Sequence, residues 1–176
     1  MNPTFLRGFT VLGAVLVLAA LNFSILGKER IKRDGELVYL ALAPVDPRSL
    51  MQGDYMALRF ALVQSLEQSV AETLRASASA NADVGVAGLR EGSTAFASVS
   101  IDARHVATLA VAPSTGSLKL RYRIRGGAVW LGTNAFFFQE GSAERFNGAR
   151  YGEFRVDRQS GEAVLVGLRD EALKAL

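Results

Sequence analysis

Cysteine is absent from the 176 residues, and histidine occurs once, as His105. With no cysteine there is no disulfide and no lipid-modified N-terminal cysteine, so the fold rests on its own core. One histidine leaves a zinc site short of its usual ligands, and no metal is expected. The chain has no glycine-rich phosphate loop, no dinucleotide fingerprint and no nucleophile elbow, so no cofactor is expected either. Lysine is scarce beyond residue 33, where only Lys119 and Lys174 occur, which leaves few candidates for a lysine general base. A large excess of one charge is missing too. The formal charge is +3, but residues 1–33 hold Arg7, Lys28, Arg30, Lys32 and Arg33 against Glu29. The remainder is close to neutral and has no general attraction to nucleic acid.

What is present begins with residues 9–26, a run without a charge. As a helix rising ~1.5 Å per residue it spans roughly 27 Å, close to the hydrocarbon thickness of a bilayer. It is apolar all round, unlike the one-sided pattern of a surface helix. Small residues are poorly placed after it for signal-peptide cleavage, so retention is expected. The expected layout is a short tail (1–8), a transmembrane helix (9–27), a basic juxtamembrane linker (28–35) and a soluble domain (36–176). Counting basic residues puts the domain in the cytoplasm, whereas a short N-terminus before one helix is the usual signal-anchor layout, with the domain outside.

Within 36–176 the patterns are mostly those of strands. Residues 37–43 read as a buried strand and residues 55–62 as its successor. Between 64 and 78, Val63, Leu66, Val70 and Leu74 recur at helical steps, and the loop from Ser77 to Asp83 follows. Residues 96–102 and 118–125 alternate with period two, Gly126-Gly127 turns into Val129-Trp130-Leu131, and 134–138 is a further apolar run. One helical turn is expected at 142–146, capped by Ser142 or Gly141. Tyr151–Val156 and 163–168 form a hairpin. The expected fold is mainly β (α+β), with one inserted helix and one N-terminal transmembrane helix.

The stretch from Ala43 to Tyr55 joins the first two strands, and it contains Pro44, Asp46, Pro47, Arg48, Ser49, Gly53 and Asp54. Prolines fix φ, and Gly-Asp permits a sharp turn, so this is a built corner. The sequence Gly53-Asp54-Tyr55-Met56-Ala57-Leu58-Arg59-Phe60 resembles the motif of the GDYxxLxY membrane-protein family, Gly-Asp-Tyr-x-x-Leu-x-Tyr. Residues 44–52, 134–141 and 149–156 resemble other blocks of that family. Phe60 departs from the motif, keeping a ring and losing a hydroxyl. The resemblance implies a small bacterial protein anchored in the inner membrane, with its domain in the periplasm. It also implies a multi-pass membrane protein as neighbour, and it implies no reaction.

Three function classes are open. The leading expectation is an accessory protein that docks on a partner membrane protein, with no catalytic residue assigned. Its expected contact residues are Asp46, Pro47, Arg48, Gly53, Asp54 and Tyr55 of the corner, Arg121 and Arg123 of the basic strand, and Glu140. A second is a hydrolase. The corner resembles that of signal-peptidase-like serine proteases, but their nucleophile precedes the proline, where this chain has Ala43, Pro44, Val45 and Asp46. Only Ser49 with Lys119 remains. A third is a module for an envelope glycan or anionic lipid. Lys119, Arg121, Arg123 and Arg125 share one strand face, where like charges need compensation. Glu153 and Glu140 are the carboxylates expected to supply it. Phe136-Phe137-Phe138 reads as a buried strand end or an exposed docking edge, and rings on both faces favour burial on both. His105 is expected at a strand edge.

Overall fold

In the computed structural model the described residues are 3–43, 51–52, 55–79, 92–110, 117–126 and 128–176. Helix α1 runs Pro3–Asp34 without a break. Residues 28–34, expected as a linker, are its last turns. No side chain between Val11 and Arg30 is buried, and Ile31 is the first that is, at 8% exposed. There α1 packs against two strands of the domain, and the Gly35 amide donates to the Ile31 carbonyl at 2.8 Å. A Cβ on Gly35 would stand 2.4 Å from that carbonyl oxygen, so the tight exit needs glycine. The apolar helix is therefore mounted on the domain by a packed joint.

The domain is mainly β among the described residues. Its strands are β1 (Glu36–Ala41), β2 (Met51–Gln52), β3 (Tyr55–Ala57), β4 (Thr94–Ile101), β5 (Ala107–Leu109), β6 (Leu118–Arg125), β7 (Ala128–Trp130), β8 (Ala135–Phe137), β9 (Tyr151–Val156) and β10 (Ala163–Arg169). Helix α2 spans Ala61–Ser79, and a 3-10 turn covers Ala143–Phe146. Three antiparallel sheets result, ordered β1-β9-β10, β2-β3-β8 and β5-β4-β6-β7. The second strand is shorter than its apolar pattern, because Leu58 and Phe60 enter the core and the chain turns into α2 at Ala61.

The alternating strands do as their period requires. On β6, Leu118, Leu120, Tyr122 and Ile124 point inward, while Lys119, Arg123 and Arg125 are exposed and Arg121 is half-buried. The inward set joins one core with Ala97 and Val99 of β4, Leu62 and Leu66 of α2, Val38 and Leu40 of β1, and Phe154 and Val156 of β9. Burial holds the Tyr122 phenol above its ordinary pKa. Phe60 meets Phe154 edge-on with centroids 5.3 Å apart.

Several local expectations are corrected. Phe136 and Phe138 pack on Phe146, each with centroids 5.2 Å apart, but Phe137 between them is 75% exposed. Successive side chains on a strand face opposite ways, and one face of β8 is open. His105 lies in the turn between β4 and β5 with φ 62°. The Asp102 carboxylate shapes that turn, accepting from the amides of Arg104 and Val106 at 2.8 Å each. Ser142 precedes the 3-10 turn, but its hydroxyl bonds back to the Gln139 carbonyl and caps nothing.

Candidate functional site

The β6–β7 hairpin sets Arg123 opposite Trp130 and Arg125 opposite Ala128. Arg121 lies opposite Phe96 of β4 on the other side. The outward residues of β6 thus form a row of cations with aromatic rings beside it. The Arg125 guanidinium sits 5.9 Å from the Trp130 ring centroid, within cation–π range.

This row forms one wall of a half-open groove of about 610 Å³. Ala135, Phe136 and Phe137 of β8 and Ala163, Val164 and Leu165 of β10 supply apolar lining. Lys28 reaches the groove from the end of α1, and Glu162 from the loop before β10. Four cations therefore face one carboxylate. Glu162 is paired with both Lys28 and Arg121, the latter at 3.0 Å. It ties α1, β6 and β10 together at one point. Neither Arg123 nor Arg125 has a carboxylate partner among the described residues.

The expected compensation of the basic strand is thus corrected. Glu153 lies on β9, only 8% exposed, and its carboxylate is held by Arg169 of β10. Glu140 is exposed at a turn and forms no ion pair among the described residues. Glu162 does the work instead, and only for Arg121 and Lys28.

Of the expected contact residues, Arg121 and Arg123 are brought together in the groove, and Glu140 is not. Asp46, Pro47, Arg48, Gly53 and Asp54 lie outside the described residues, as does Ser49 of the hydrolase pair. Tyr55 pairs in register with Phe137, with ring centroids 5.8 Å apart. It therefore adjoins the rim of the groove through a ring that lines it. Lys28, Trp130 and Glu162 went unnoticed in the sequence as site residues, and Phe137 was weighed as a docking edge but expected to be buried. Trp130 was legible there: a Gly-Gly turn after the basic strand returns the sole tryptophan alongside it. No group of three or more His, Asp or Glu that could hold a metal occurs among the described residues.

The molecule is thus a mainly β domain carried on one helix long and apolar enough to cross a membrane. It belongs to the GDYXXLXY protein family, whose pattern matches residues 17–168. No curated protein and no solved structure matches the chain.

Proposed function

We propose that this protein is a single-pass, membrane-anchored recognition protein that takes an anionic group in the groove between β6, β8 and β10. The observation that carries this reading is the gathering of Lys28, Arg121, Arg123 and Arg125 around a single carboxylate, beside the exit of the apolar helix. Like charges held side by side store a repulsion that a bound anion relieves. Tripolyphosphate added to the full-length protein in neutral detergent should raise its melting temperature and shift the emission of Trp130. The Arg123→Glu/Arg125→Glu variant should show neither change. A wild-type protein whose melting temperature and emission ignore tripolyphosphate at low salt would refute the reading. We read the domain as lying on the periplasmic side of the inner membrane, a reading that the family resemblance supports. Protease added to intact spheroplasts should then remove it.

A second reading has its own support. The ring of Phe137 is exposed on β8, next to Tyr55 of the family motif. An exposed ring beside a strand edge suits docking on a multi-pass membrane partner. A photo-crosslinker at position 137 should capture one discrete membrane protein in native membranes, and labelling of lipid alone counts against docking there.

A further inference from the structure

We infer that the ligand of the groove is an anionic phospholipid of the same membrane that α1 enters, resting on the reading of the groove as an anion site. The headgroup phosphate sits on Arg123 and Arg125, and the glycerol end lies along the wall formed by Ala135 and Leu165.

Position is the first reason. Lys28 lines the groove and is the first charged residue after Ile25-Leu26-Gly27, the end of the apolar run. A helix gains ~1.5 Å per residue, so this cation stands within a few ångströms of the hydrocarbon boundary, at headgroup depth. The packed joint at Ile31 and Gly35 keeps the groove at that height. Lipid phosphates are concentrated there, whereas a soluble anion has to be drawn from bulk.

The two-sided lining is the second reason. A free phosphate or a sugar acid would use the arginines and leave the apolar wall wet. An amphiphile uses both walls. Trp130 is a ring type that favours the membrane–water interface, and the exposed Phe137 adds apolar surface to the opposite wall.

Glu162 is the third. It satisfies Lys28 and Arg121 and leaves the other two arginines without a carboxylate. Arg123 and Arg125 are two residues apart on one strand face, about 7 Å between Cα atoms, so two long guanidinium side chains can converge on one phosphate. Glu162 occupies Lys28 and Arg121 at the helix side of the groove, so an incoming phosphate meets Arg123 and Arg125.

The sole tryptophan lies in the groove, so its emission reports occupancy without a label. The full-length protein is placed in nanodiscs of phosphatidylcholine alone or with a minor fraction of phosphatidylglycerol. The anionic lipid should shift Trp130 emission and raise the melting temperature. Each arginine replaced should weaken the response by about fivefold, and Glu162→Gln should strengthen it by a similar factor. The Arg123→Glu/Arg125→Glu variant should lose the response while keeping its circular dichroism spectrum. The inference falls if both kinds of disc give the same emission while tripolyphosphate still shifts it, because the groove then takes a soluble anion and the broader reading stands. It also falls if an acidic peptide such as polyglutamate shifts the emission and no phosphate-bearing probe does. A silent Trp130 with every probe removes the lipid and the anion site together.

Discussion

At the scale of single residues, the core shows why one position accepts only glycine. A Cβ on Gly152 would stand 2.9 Å from the Phe60 ring, 3.0 Å from the Phe154 ring and 3.2 Å from Leu165. Gly152→Ala should lower stability by about 1–3 kcal/mol, the usual cost of overpacking, read from a denaturant melt in detergent. Unchanged stability would mean that the rings move aside at no cost. Glu153 is held differently, buried with Arg169 as its partner. Arg169→Met strands a buried carboxylate and should cost roughly 3 kcal/mol, whereas Glu153→Gln with Arg169→Met should recover much of that. Phe60 was legible as the last ring of a motif and as a departure from its tyrosine. Its packing against Phe154 and over Gly152 was not, because no local pattern records which distant strand a buried ring will meet.

At the scale of elements, local patterns succeeded for several partners that are neighbours in the chain, though not for the short strands β2 and β5. The β9–β10 hairpin, the β6–β7 turn and the cationic face of β6 all follow from period-two alternation and short turns. The register of β1 on β9 did not, nor did the placing of β8 beside β3, since both join distant segments. The same limit hid the site: Glu162 reaches the basic row only through the packing of β10, and Lys28 only through the continuation of α1. Polar residues Lys28–Asp34 look like a linker when judged by hydropathy, yet one buried isoleucine makes them a joint. Ile31→Ala should destabilise the protein by about 2 kcal/mol and speed hydrogen exchange of the Gly35 amide, which bonds to the Ile31 carbonyl. Exchange that stays slow would show that the joint is held by Glu162 and its two cations instead.

At the scale of the whole molecule, the cationic groove lies beside the exit of the apolar helix, with Lys28 common to both. The apolar helix is exposed along its length, with Leu12, Leu16, Leu18, Leu21 and Phe23 each more than half exposed. Its length and apolar surface are those of a helix able to cross a bilayer. The groove just beyond it offers charge, and charge is screened by salt whereas apolar burial is not. The two contributions can therefore be separated in one experiment. A protease site placed between Gly27 and Lys28 leaves the joint and the groove on the released domain. Before cleavage, alkaline carbonate and high salt should both leave the protein in the membrane pellet. After cleavage, the domain should leave phosphatidylcholine vesicles at once but stay on phosphatidylglycerol vesicles at low ionic strength. Near 1 M salt, where the screening length falls to about 3 Å, it should leave those as well. The Arg123→Glu/Arg125→Glu domain should leave both kinds of vesicle at any salt concentration. Wild-type retention that ignores lipid charge would instead trace the hold to Phe137 and the open face of β8.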